Sequence, residues 1–179
     1  MLKSSVALIG FMGTGKTTIG KLLVKELGGE YQFIEMDQLI EQMVGKPIPE
    51  IFTQDGEVTF RELEIKVCQK VSTFEKVVIS CGGGTVLNKK NVENLKKNCT
   101  FILLEATIET ILNRILKDGI QVRPVIYKED PINDIKKLYH LRNPLYQSVA
   151  DIIINTEIKD KSIIVNEIIQ KLKLDNEII

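Results

Sequence analysis

The chain has 179 residues, with 24 basic and 24 acidic side chains and a formal net charge of zero. That length suits one well-cored α/β domain over 1–179 and is short for two. Balanced charge argues against strong nonspecific attraction to nucleic acid or to an anionic membrane, so neither is expected as a partner. No apolar run approaches the roughly 18 residues of a membrane helix. Strand-like sequence follows Met1-Leu2-Lys3 directly, and no signal peptide is visible. Cys68, Cys81 and Cys99 are odd in number and lack C-x-x-C spacing, as expected of small buried residues in a reducing cytoplasm.

In chain order, the apolar, β-branched run 5–9 predicts a buried first strand. Next comes Gly10-Phe11-Met12-Gly13-Thr14-Gly15-Lys16-Thr17, which fits G-x-x-x-x-G-K-S/T without substitution. Ile19, Leu22, Leu23 and Leu27 then recur at helical spacing until Gly28-Gly29 stops the helix. Strand, glycine-rich turn and helix form a phosphate cradle, with backbone N–H groups and a helix N-terminus facing the anion. Lys16 reaches the β/γ-phosphates of a nucleoside triphosphate, and the Thr17 hydroxyl can ligate Mg²⁺.

Residues 33–36 predict a second strand with Asp37 at its C-terminal end, followed by a helix over 39–44 stopped at Gly45-Lys46-Pro47. Glu35 and Asp37, two apart, would point the same way on a regular strand. A turn over 49–52 leads to a helix carrying Val58, Phe60, Leu63, Val67 and Val71 on one stripe. Glu57, Arg61 and Glu64 on that helix fit a surface ion-pair cluster, or acids that hold an arginine towards an anionic substrate. Taken alone, the spacing favours the surface cluster.

The third strand, 76–80, runs into Gly82-Gly83-Gly84, where a ligand can approach bare backbone. A helix over 88–97 capped by Asn88, a fourth strand over 100–104 and a helix over 107–116 follow. Residues 117–128 read as a polar loop carrying Arg123, either a lid arginine or an ordinary exposed one. A helix over 131–150 is expected to kink or restart at Pro144, before a fifth strand over 152–154 and a closing helix over 162–172. Alternating strands and helices with apolar strands predict a parallel sheet covered on both faces, its ligands at the C-terminal strand ends. Only Arg61, Arg114, Arg123 and Arg142 of the 24 basic residues are arginine. Arginine supplies a planar fork for carboxylate or phosphate that lysine cannot replace.

Assembled, these motifs resemble the shikimate kinase family of small P-loop kinases. The resemblance runs over about 6–154. It rests on the glycine-rich loop, Asp37, Ile51-Phe52 through Gly56-Glu57 and Phe60-Arg61 to Glu64, Gly82-Gly83-Gly84, Arg123-Pro124 and Arg142-Asn143-Pro144-Leu145-Tyr146. It implies a five-stranded parallel sheet of order 2-3-1-4-5, a monomer, and transfer of phosphoryl from ATP, with Mg²⁺, to the 3-hydroxyl of shikimate. It implies an acceptor-binding segment at about 37–64 and a lid at about 117–128. Lys16, Asp37 and Arg123 take catalytic roles, while Gly13, Thr14, Gly15, Lys16, Thr17, Thr18, Arg114 and Arg123 meet ATP, Arg114 beside adenine. Asp37, Arg61, Arg142, Gly82, Gly83, Gly84, Phe52 and Phe60 surround the acceptor. Two departures stand out. Glu35-Met36-Asp37 replaces the family's usual D-x-D, so that Glu35 would reach the metal through a water, and Thr156-Glu157-Ile158-Lys159 lacks the arginine common near adenine. A gluconate- or nucleotide-kinase-like enzyme and a noncatalytic nucleotide-binding module are the alternatives.

Overall fold

The structure is a computed structural model that describes residues 3–118, 130–157 and 160–174. Five parallel strands form one sheet in the order β2-β3-β1-β4-β5, as the resemblance implied. They are β1 (Ser5–Ile9), β2 (Gln32–Glu35), β3 (Val77–Ser80), β4 (Cys99–Glu105) and β5 (Ile152–Asn155). Alternate residues of each central strand feed opposite cores. Val6, Leu8, Val78, Ile102 and Ile154 pack under α1 (Lys16–Leu27) and α8 (Lys161–Leu174). Ala7, Ile9, Ile79, Phe101 and Leu103 face the other layer. That layer holds α2 (Met36–Val44), α3 (Ile48–Glu50), α4 (Gly56–Val71), α5 (Lys89–Leu95), α6 (Ile108–Asp118) and α7 (Pro131–Val149). Burial on both faces explains why these strands read as unbroken apolar runs.

Three expectations are corrected. First, β2 ends at Glu35 and α2 begins at Met36, so Asp37 sits in the first turn of a helix. Met36 and Ile40, four residues apart, form the buried face of that helix, a helical spacing in place of the strand alternation that the sequence suggested. Second, α7 runs through Pro144 without a restart. Arg142 and Tyr146, on either side of Pro144, both donate to the Gly83 carbonyl and tie this stretch of the helix to the glycine turn. Third, the predicted turn near Pro49 is α3 followed by a π-helical turn, Ile51–Asp55, that feeds directly into α4. The predicted loop 117–128 starts with the last two residues of α6, and the rest lies outside the described residues.

The three cysteines are buried thiols, as expected, and burial pushes Cys99 up to about 12. Among the described residues no helix is long and apolar enough to cross a membrane.

Asp151 fastens the edge strand. Its carboxylate accepts from the Phe101 N–H at 2.8 Å, from Lys96 at 2.6 Å and from Lys3 at 3.1 Å. Burial raises the group, and these three bonds outweigh that effect and hold its carboxyl below the ordinary range. Stability of this kind is present above the unfolded pKa and lost as pH falls through the folded one. Asp151→Asn is therefore expected to lower stability at pH 7 by about 1 kcal/mol, discounted for partial exposure. Denaturant unfolding at pH 7 and pH 3 checks this, and the deficit should fade at the lower pH.

Candidate active site

A cleft of about 740 Å³ opens at the carboxyl ends of β1, β2 and β3, where the strand-end rule places it. Gly13, Gly15, Lys16, Thr17 and Thr18 form one wall. Glu35, Asp37, Phe52, Phe60, Arg61, Gly82, Gly83, Gly84 and Arg142 complete it. Of the other predicted site residues, Thr14 is 2 % exposed and braces the loop by donating to the Phe11 carbonyl at 2.8 Å. Arg123 lies outside the described residues.

The loop depends on glycine where its backbone turns left-handed, at φ +77° for Gly13 and +97° for Gly15. Gly10 has a second constraint, since a Cβ there would lie 2.4 Å from the Leu104 carbonyl oxygen. Lys16 folds back onto its own loop, donating to the carbonyls of Gly10 at 2.8 Å and Phe11 at 3.0 Å. A phosphate in the cleft would offer Lys16 stronger, charged acceptors than those carbonyls.

Thr17 donates to the Glu35 carboxylate at 2.7 Å. The longer Glu35 side chain thus reaches the loop hydroxyl directly. A hydroxyl beside a carboxylate at the cleft mouth is a hard, all-oxygen donor set, and it fits a Mg²⁺ that keeps most of its water and phosphate ligands.

Arg114 stands behind the loop. It donates to the Gly13 carbonyl at 3.2 Å, to the Thr156 hydroxyl at 3.2 Å and to the Thr156 carbonyl at 2.5 Å. Glu157 accepts from the Thr107 N–H at 2.7 Å and so caps α6, which carries Arg114. The segment that lacks the expected arginine therefore anchors another one.

On the opposite side, two arginines converge on the glycine turn. The Arg61 guanidinium lies over Gly84 so closely that a Cβ there would fall 2.2 Å from Nη1. Arg142 is 7 % exposed and donates to the Gly83 carbonyl at 3.4 Å, and its buried Nε has no hydrogen-bond partner among the described residues. Asp37 closes the third side, its Oδ1 2.9 Å from where a Cβ of Gly82 would stand. None of the three glycines has positive φ. Gly82 and Gly84 allow close approach by the protein's own charged side chains, whereas a Cβ at Gly83 would make only ordinary contacts. Phe52 and Phe60 stack with ring centroids 4.6 Å apart, and Arg61 lies 5.1 Å above the Phe60 ring.

Glu57 and Glu64 do hold Arg61, one of the two readings the spacing allowed, but the burial of Glu64 and its Thr85 partner were not anticipated. Glu64 is 1 % exposed, and each of its oxygens is engaged, one by Arg61 Nη1 at 3.0 Å and one by the Thr85 hydroxyl at 2.9 Å. The Glu57–Arg61–Glu64 cluster is therefore half surface and half core. The available signal was position, because Glu64 follows Phe60 by four residues and precedes Val67 by three, on the apolar stripe.

Burial pushes Asp37 up from 3.8 to about 6, with Glu35, Glu64 and Glu41 adding and Lys16 opposing. Between those two values the folded protein holds a proton that the unfolded chain releases, so stability falls as pH rises through the window. Asp37→Asn cannot ionise and is expected to be more stable than the parent at pH 7, by on the order of 2 kcal/mol. The advantage should vanish below about pH 4, and urea unfolding at both pH values measures it.

The comparisons agree with this geometry. The family profile described as shikimate kinase matches residues 12–173. A shikimate kinase of Hahella chejuensis is 42% identical over 175 residues, covering 98% of this chain and 89% of the relative. A solved shikimate kinase from Acinetobacter baumannii, in complex with shikimate, superposes with a TM-score of 0.88 at 33% identity, covering 98% of this chain and 95% of that one. The enzyme from Aquifex aeolicus gives 0.81 at 33% identity, over 96% and 98%. The chain belongs to the shikimate kinase family.

Proposed function

We propose that this protein transfers the γ-phosphoryl group of ATP to the 3-hydroxyl of shikimate, forming shikimate 3-phosphate on the route to aromatic amino acids. The observation that carries this reading is the pair Arg61 and Arg142, converging on the glycine turn across a cleft from the phosphate loop. A buried guanidinium with an unmatched N–H is completed by an anion, and a carboxylate fits its planar fork. Residues 37–64 form the acceptor-binding segment in this reading, and 117–128 the lid.

This reading gives each residue of the cleft a role. Backbone N–H groups of 13–18 and the Lys16 ammonium hold the β/γ-phosphates. Thr17 and Glu35 would hold Mg²⁺, which neutralises charge on the transferring phosphoryl group. Arg61 and Arg142 clamp the acceptor carboxylate while Phe52 and Phe60 wall its ring, so the hydroxyl is presented to the phosphate. Asp37 accepts the hydroxyl proton. With a pKa of about 6 it is mostly ionised at neutral pH and basic enough to take that proton, close to the optimum for a general base. Arg123 is assigned to the lid and the phosphates by resemblance.

ADP release from Mg-ATP, measured with shikimate, gluconate or AMP as acceptor, tests the reading. Turnover that requires shikimate, with little background, is the expected result. Turnover with only another acceptor would overturn the substrate, and acceptor-independent behaviour would favour a binding module. Asp37→Asn is expected to lower kcat by at least about a hundredfold with little change in nucleotide Kd. Steady-state kinetics beside nucleotide titration separate the two. Gly84→Ala must displace Arg61 and is expected to raise the shikimate KM at least about tenfold, leaving the ATP KM near its original value.

A further inference from the structure

Arg61 is held by two carboxylates of opposite character. Glu64 lies inside, 1 % exposed, fixed by Thr85 and bonded to Nη1. Glu57 lies outside with its side chain 60% exposed, and a single oxygen accepts from both Nη2 at 3.0 Å and Nε at 3.3 Å. Those two donors form one edge of the guanidinium fork, an edge that a carboxylate normally takes with both oxygens. Glu57 uses one oxygen, is solvated, and sits in the first turn of α4 after Gly56. Its bond is therefore weak and exchangeable, in the range of exposed pairs, while the buried Glu64 contact is permanent.

We propose that Glu57 is an internal competitor for the acceptor: it occupies the Nε/Nη2 edge of Arg61 in the empty site and is displaced by the carboxylate of the incoming substrate. This rests on the reading of Arg61 as part of the acceptor clamp. The arrangement keeps Arg61 aligned over Gly84 between turnovers, and it makes acceptor affinity the difference between two carboxylate contacts. A ligand that engages the fork with two oxygens displaces Glu57, and one that offers a single neutral oxygen does not.

Calorimetric titration of shikimate into the full chain tests this, with E57Q and E57A beside the parent. Both variants are expected to bind shikimate about two- to fivefold more tightly than the parent, the range of an exposed ion pair, with unchanged ATP affinity. E41Q is the charge control. Glu41 lines the same cleft, but its carboxylate accepts from the Ile48 N–H and makes no bond to Arg61. Equal tightening in E41Q would show simple relief of negative charge and overturn the proposal. Unchanged or weaker binding in E57Q and E57A would overturn it as well, showing that Glu57 aligns Arg61 without competing. Failure of the parent chain to bind shikimate would instead overturn the functional reading, and the proposal with it.

Discussion

The site depends on the absence of side chains at the two outer glycines of one turn, Gly82 and Gly84. Into the space left there come Asp37 from α2 and Arg61 from α4, while Arg142 and Tyr146 from α7 donate to the Gly83 carbonyl between them. Each of these helices is anchored by apolar residues in the core on the same side of the sheet, through Ile40, Val67 and Ile135. The turn is thus where three packed helices and one strand end are brought into register. A methyl group at either outer glycine would push aside the end of a charged side chain, Asp37 at Gly82 or Arg61 at Gly84, and so move a group that faces the cleft.

Charge within the cleft is divided by depth. The phosphate loop supplies cations and N–H groups at one wall, the arginines supply cations at the other, and the acids stand between them. Burial keeps Asp37 from ionising easily, Glu35, Glu64 and Glu41 add to that effect, and Lys16 opposes it. A carboxylate in such a position is a better base than one in water. The cost to stability is the familiar one of a functional site whose groups are placed for reaction.

Much of this could be read from the chain because its chemistry is local. The phosphate loop is defined by eight consecutive residues, and the strands announce themselves as apolar runs because both sheet faces are covered. The Asn88 cap was also visible, and its side chain does accept from the Lys90 N–H. The boundary at Asp37 is hard to read because Glu35-Met36-Asp37 alternates like a strand, while Met36 and Ile40 share the buried face of α2 at helical spacing. Glu64 paired with Thr85, and Arg114 with Thr156, could not be found by periodicity. Those partners are 21 and 42 residues apart, and their contact exists only once the sheet has assembled.

The Arg114 tie has a consequence for how the site comes into being. It joins Gly13, in the first turn after β1, to Thr156, in the residue that follows β5. Gly10 is likewise set against a carbonyl of β4. The loop sequence therefore emerges from the ribosome long before the strands that support it. The loop's shape belongs to the complete sheet and not to the loop as a peptide. A nascent or truncated chain ending before β5 would carry the full motif and still lack the brace that holds its backbone in shape.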